Sequence, residues 1–406
     1  MNFLFAWRYF KSKKTTNAVN IIAWISVTAI AVGAGALIVV LSVFNGFEDL
    51  VKSLYGDFYA DVRIAPTSGK TMQLNTVQLD KIKQTKGVLQ TSLIVEEKAL
   101  LSNGDNSQAI VFVKGVDENY TSVNSLTKHI IRGEFDAGKA DAPKLVIGAG
   151  IENATGLDPI RPGVPATLYL PNKKAENLNS VNEAFNSYNL NASGTFLVQQ
   201  EFDNKYVFTN LAFIKFMLDM KADEFSSMEL RIDSTQTEKT VEQLQTQLGS
   251  KYKVETRYQQ NKSLYTVMKM EKWVIYGILS LILVVAAFNM IGALTMLVLE
   301  KQKDIAVLKA MGASNFTVRN IFLNEGFLLA GIGGVAGILL ASLICWLQVK
   351  FHLIKLQGGS FIIDYYPVKM NGFDFALVTG TIIFVALLAS WIPARKASMQ
   401  EFSLKS

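Results

Sequence analysis

The sequence predicts a membrane protein with four transmembrane α-helices and a large α+β extracytoplasmic domain between the first and the second. Three observations lead there. Half of the 406 residues are hydrophobic and only 18% are charged, a balance typical of chains with a membrane part. Four apolar runs, 21–45, 273–299, 321–347 and 373–392, match the roughly 20 residues that cross a bilayer. Between the first two lies the segment 46–272, nearly neutral with 26 basic and 28 acidic residues.

The runs 21–45 and 273–299 contain no charged residue; Glu325 stands near the start of the third and Asp374 near the start of the fourth. Orientation follows from Lys and Arg in the short flanks. Residues 1–20 carry Arg8, Lys11, Lys13 and Lys14 and no acid. Residues 300–319 carry Lys301, Lys303, Lys309 and Arg319 against Glu300 and Asp304, and the tail 393–406 carries Arg395, Lys396 and Lys405 against Glu401. Four spans place these three segments on one side, the cytoplasm, with both termini. The net charge of +6 is therefore a topology signal and does not point to a nucleic-acid partner.

The first run is longer than the 7–15 apolar residues of a cleaved signal peptide, which predicts a retained anchor. Ahead of it, Phe3, Leu4, Trp7 and Phe10 form an apolar stripe beside the basic residues. This predicts a helix lying on the cytoplasmic leaflet at 1–20; an ordinary positive flank is the alternative. The single cysteine, Cys345, falls in the third run. No disulfide can form within the chain, so the outer domain depends on its own core.

Within 46–272, short β-type runs alternate with helical ones. Residues 61–65, 92–101 and 109–115 read as strands, and Asn103-Gly104 marks a hairpin between the last two. Residues 76–86 read as an amphipathic helix through Val77, Leu79 and Ile82. Later, 226–232 reads as a strand, 235–248 as a helix and 252–256 as a strand. The middle, about 116–224, is richer in turn residues and reads as an inserted lobe, with 172–191 as a surface loop. The stretch 258–273 has no Pro or Gly, so the second span is expected to extend outward as a helical stalk, and the first to do so through 48–54. A periplasmic loop at 348–372 joins the last two spans.

Catalytic chemistry is missing. No G-x-x-x-x-G-K-[ST] loop occurs; Gly69-Lys70-Thr71 has Ile64 where the first glycine belongs. H-E-x-x-H and G-x-S-x-G are absent. His129 and His352 are the only histidines, far apart and without neighbouring ligands, so no metal site is expected. Glu96 and Glu97 are adjacent on a strand and point to opposite faces. The spans carry no charge near mid-membrane, which disfavours an ion relay. Small residues four apart, Ala29 and Gly33, Ala330 and Gly334, Gly333 and Gly337, mark expected helix–helix contacts.

Residues 300–315 form a short charged segment between two spans. Ile305, Leu308 and Met311 recur at helical steps, with Lys301, Lys303, Asp304 and Lys309 between them. A membrane protein without catalytic motifs but with such a helix on its cytoplasmic side is built to be pushed by something else.

This order of parts, with the run Val43-Phe44-Asn45-Gly46-Phe47-Glu48, the segment from Glu300 to Ala313, and Ile392-Pro393-Ala394-Arg395, resembles the FtsX/MacB-type permeases of ABC transporters. Within that group the chain resembles the lipoprotein-releasing permeases LolC and LolE. The last residues, Ser398 to Ser406, depart from the family's usual ending, and 143–171 is similar only loosely. The resemblance implies a permease subunit without enzymatic activity or bound cofactor, in the bacterial inner membrane. ATP and Mg would sit on a LolD-like ATPase dimer. A second permease copy or paralogue, triacylated lipoproteins and a LolA-like periplasmic chaperone would be the other partners. It further implies that Ile305, Leu308 and Met311 meet the ATPase through apolar contact, with Lys301, Asp304 and Lys309 as polar contacts. The cargo's acyl chains would need an apolar groove formed by Val40, Val43, Phe44 and Phe47, which share one helix face, and by Met268, Ile275 and Tyr276 across from them, with Val274 beside these. An FtsX-like regulator of a cell-wall hydrolase and a MacB-like efflux component are the alternatives.

Overall fold

The computed structural model describes residues 17–104, 107–161, 163, 165–172, 181–356 and 364–399. The stripe and basic residues expected to lie on the membrane surface, Phe3 to Lys14, fall outside the described residues, as do Glu401 and Lys405 of the tail. Among the described residues, four helices are long and apolar enough to cross a membrane: Asn17–Phe58, Lys262–Glu300, Asn315–Phe351 and Gly372–Ser398. The chain divides into two compact units, one of helices (residues 1–50, 266–356 and 365–406) and one mostly of strands (51–265 with 357–364).

In the helical unit the apolar side chains that face inward, among them Leu37, Ile38, Leu41, Leu283, Met290, Leu294, Phe322 and Ala386, form one core. The small residues mark its seams. A Cβ on Gly333 would lie 2.6 Å from the Val27 carbonyl oxygen, and one on Gly337 would run into the Ala31 carbonyl. The first and third helices therefore meet backbone to backbone. Gly326 faces Ser390 and Gly334 faces Ile382 on the fourth helix. Gly277 and Gly292 of the second helix have nothing near them.

The two first helices are longer than their apolar runs. The first has 42 residues and the second 39, about 60 Å each at 1.5 Å per residue, twice the hydrocarbon thickness of a bilayer.

The α+β unit is built on a ten-stranded sheet. Its strands in chain order are β1 (Val62–Pro66), β3 (Val88–Ser102), β4 (Gln108–Val116), β5 (Ile130–Gly133), β6 (Lys144–Gly148), β7 (Ala166–Pro171), β8 (Phe185–Phe196), β9 (Tyr206–Asn210), β11 (Ser227–Ile232) and β12 (Tyr252–Thr256); β2 (Met72–Gln73) and β10 (Glu224–Phe225) pair separately. The order across the sheet is β12-β1-β11-β3-β4-β9-β6-β8-β5, with β7 beside β3 and β8. Helix Thr76–Gln84 starts in a capping box in which Asn75 Oδ1 accepts from Gln78 N and Gln78 Oε1 accepts from Asn75 N.

Two apolar cores lie along this sheet. One gathers the two ends of the segment: Val62, Ile64, Ile82, Met228, Leu230 and Leu244. The other gathers the middle: Val111, Val113, Ile147, Leu168, Val207 and Ile214. The middle does not form a sheet of its own, because β9 runs parallel beside β4, with Phe112 opposite Tyr206 and Val116 opposite Asn210. The expected loop at 172–191 needs correction. Residues 173–180 lie outside the described residues, but β8 begins at Phe185 and its asparagines are strand residues. Asn186 Nδ2 donates to the Met217 carbonyl at 2.7 Å, and Asn189 Oδ1 accepts from Thr167 Oγ1 at 2.8 Å. Cross-strand and side-chain hydrogen bonds override the turn preference of Asn and Ser here.

Where the first helix ends, its last turn sits among rings of this unit: Phe58 stacks on Phe202 with centroids 4.0 Å apart, and Tyr55 Oη donates to Glu201 at 2.6 Å. Nearby, Lys114 and Glu229 are buried as an ion pair at 2.6 Å, with the ammonium 5.1–5.9 Å from the rings of Tyr120, Phe58 and Phe208. Glu97 pairs with Lys70 on the surface. His129 bonds Asp57 at 3.0 Å, and no metal-binding cluster occurs among the described residues.

Candidate functional site

The second long helix stops at Glu300 and a short helix, Gln302–Ala310, follows after Lys301. Lys301 pairs with Asp304 one turn on, at 3.2 Å. Lys309 Nζ donates to the Ser398 carbonyl at 2.8 Å, which ties the short helix to the end of the fourth long one. Gly312, at φ +90°, ends it; this left-handed backbone suits glycine. Ser314 then caps the third long helix by accepting from Thr317 N.

The stripe Ile305, Leu308, Met311 does not share one environment. Ile305 is 3% exposed within the helical core, Leu308 is half-buried, and Met311 lies past the last helical residue at 80% exposure. Ile305 therefore packs inward and is not an outward contact. The tight return to the third helix turns this side of the short helix onto the bundle, which three-residue spacing alone cannot reveal. The outward apolar surface is made by Val307, Met311 and Phe316. Lys309 serves as an anchor, and Lys301 and Asp304 engage each other.

At the opposite end of the spans, the Asn45-Gly46-Phe47 run has a definite job at each position. Asn45 Nδ2 donates to Asp374 Oδ2 at 2.5 Å, and its Oδ1 accepts from Lys272 Nζ at 2.8 Å. Gly46 lies against the Pro367 carbonyl and the Val368 amide, where a Cβ would overlap them. Phe47 meets the Tyr366 ring edge-on at 5.8 Å. Lys369 completes the attachment, its amide donating to the Ser42 carbonyl and its ammonium to Asp49.

Of the residues expected to line a groove, Val40, Val43, Phe44 and Phe47 lie on the first helix and Met268, Ile275 and Tyr276 on the second. Asn45 is buried, and Val40, Val43, Phe44 and Phe47 lie about 100–160° around the first helix from it. All four are half-buried. Met268, Ile275 and Tyr276 are half-buried as well, and Tyr276 faces the fourth helix, its hydroxyl 2.5 Å from Thr381 Oγ1; Val274 is exposed. The recess that the first and second helices do share lies nearer the short helix, lined by Trp24, Ile25, Val32, Ile282 and Val285.

Against families of known proteins, residues 23–247 match the MacB-like periplasmic core domain, and residues 276–402 match the FtsX-like permease C-terminal region. The first match covers more than half of the chain, so the chain belongs to the permease family built on a MacB-like core domain. Two relatives are similar along nearly the whole length. The lipoprotein-releasing system transmembrane protein LolC of Neisseria meningitidis is 28% identical over 96% of this chain and 95% of its own. The corresponding LolE of Haemophilus influenzae is 28% identical over 98% of this chain and 96% of its own. The solved periplasmic region of MacB from Actinobacillus actinomycetemcomitans aligns with 53% of this chain at 11% identity and a TM-score of 0.36.

Proposed function

We propose that this chain is the transmembrane permease of an ABC transporter that extracts outer-membrane-destined lipoproteins from the inner membrane and passes them to a periplasmic chaperone, driven by a separate ATPase. The observation that carries this reading is the full-length similarity to LolC and LolE, two permeases named for lipoprotein release. The charge of the flanks orients the short helix and both termini to the cytoplasm. There Val307, Met311 and Phe316 offer an apolar surface to the ATPase. Each buried CH₂ of an acyl chain is worth about 0.8 kcal/mol, so pulling three chains from the bilayer needs both ATP and an apolar receiving surface. The half-buried face of Val40, Val43, Phe44 and Phe47 would line a groove for the acyl chains, with Met268, Ile275 and Tyr276 across from it.

Depleting the protein and fractionating the envelope tests the reading. One outer-membrane lipoprotein is expected to accumulate in the inner membrane, and Phe44→Asp is expected to reproduce the defect. Normal sorting accompanied by chained cells or drug sensitivity would reject it in favour of an FtsX-like regulator or a MacB-like efflux component.

A further inference from the structure

Lys272 immediately precedes the apolar run of the second helix, yet its ammonium turns inward. It lies 2.8 Å from Asn45 Oδ1 on the first helix and 3.1 Å from Asp374 Oδ1 on the fourth. The Asn45 amide closes the triangle on the other Asp374 oxygen. Asp374 is 2% exposed and Asn45 7%. Three helices thus meet through one ammonium, one amide and one carboxylate.

A permanent joint does not need charge, because apolar side chains of similar volume hold a buried seam as well or better. Much of the bundle is joined that way. The first, third and fourth helices interlock at Gly326, Gly333, Gly334 and Gly337. The second is different. In its most apolar window 17% of residues are buried, against 44, 39 and 33% in the first, third and fourth. Leu283, Ala286, Met290, Leu294, Leu297 and Val298 pack into the common core, but toward the end that carries Lys272 it is also held by polar contacts: Tyr276 to Thr381, and Lys272 to Asn45 and Asp374. It is also the helix that passes directly, through Lys301, into the short helix. A rod held by hydrogen bonds and one ion pair near the end of its apolar run can exchange those partners for water in a discrete step. Interlocked backbones cannot move so without opening a void.

Resting on the permease reading above, we infer that Asn45, Lys272 and Asp374 form a latch that holds the second span against the first and fourth. The latch opens when the ATPase moves the short helix and the span shifts as a rod. The three are positioning residues and touch no cargo.

The test leaves the latch intact. Met270 and Phe373 flank it and are exposed; both are changed to Cys and spin-labelled in full-length protein carrying Cys345→Ala, copurified with its ATPase. The distance between labels is measured without nucleotide and with ATP and vanadate. A single distance is expected without nucleotide, and a second population that rises roughly tenfold on trapping. Lys272→Met is expected to populate that second state without nucleotide, and Lys272→Arg to restore the first. A distance unchanged by ATP and vanadate overturns the latch, whether or not the Lys272 variants fold. If lipoproteins sort normally on depletion but the distance shifts, the latch stands and the cargo reading falls. If lipoproteins are retained but the distance is fixed, the latch falls alone.

Discussion

Single residues carry strain and charge in this molecule that their neighbours must balance. Asp203 is buried at the end of a short helix, where its Oδ1 accepts from Val198 N at 2.9 Å. Burial pushes its carboxyl up from 3.8 to about 6, against the pull of hydrogen bonds from the Val198 and Gln199 amides. Because the folded value is the higher, the folded state holds the proton more tightly than the unfolded chain. This contribution to stability is complete below about pH 4 and is lost as pH rises through about 6. Asp203→Asn keeps the acceptor and removes the buried charge. Thermal unfolding should therefore find the variant more stable by up to roughly 2 kcal/mol at neutral pH, with the difference vanishing in acid. In the sequence, Gly46 stands out only as part of the run Val43 to Glu48. Its reason, room for the backbone at Pro367 and Val368, depends on a segment more than three hundred residues away and could not be read locally.

At the scale of elements, the apolar runs and small-residue pairs were legible because both follow from helix periodicity and composition alone. The pairs Gly333 with Gly337 and Ala330 with Gly334 do mark contacts, since Gly333, Gly334 and Gly337 each face a neighbouring helix. Gly337→Leu would drive a side chain into the Ala31 carbonyl, and overpacking of this kind typically costs about 1–3 kcal/mol. A lowered thermal midpoint of the purified protein is expected for that variant, with no change for Gly277→Leu, whose position faces open space. Strands in the outer domain were legible at its two ends, where β-branched and apolar residues alternate over 62–66 and 227–232. Strand β8 was not, because Asn186, Asn189 and Asn191 have side chains that prefer turns when no partner strand is considered.

At the scale of the whole molecule, the short helix between the second and third spans divides its apolar residues between two roles. Ile305→Asp places a charge in the helical core and should reduce the amount of folded protein. Met311→Asp changes an exposed side chain; on the proposed function it should leave protein level intact while cutting a copurifying ATPase roughly tenfold, as loss of an interface anchor does. Quantifying both proteins in the same purification decides it; equal effects of the two variants would contradict the inward and outward assignment. The similarity to LolC and LolE extends over both units of the chain.

The sequence by itself determined the number of spans, the place of the α+β domain and the absence of catalytic motifs, because hydropathy, charge and motif spacing are properties of short windows. It also located the short polar helix. Only the tertiary structure decided which way that helix faces and that Asn45, Lys272 and Asp374 meet. Those outcomes depend on which distant helix supplies the partner for a buried polar group, and a lone charge at the edge of an apolar run does not reveal its partner.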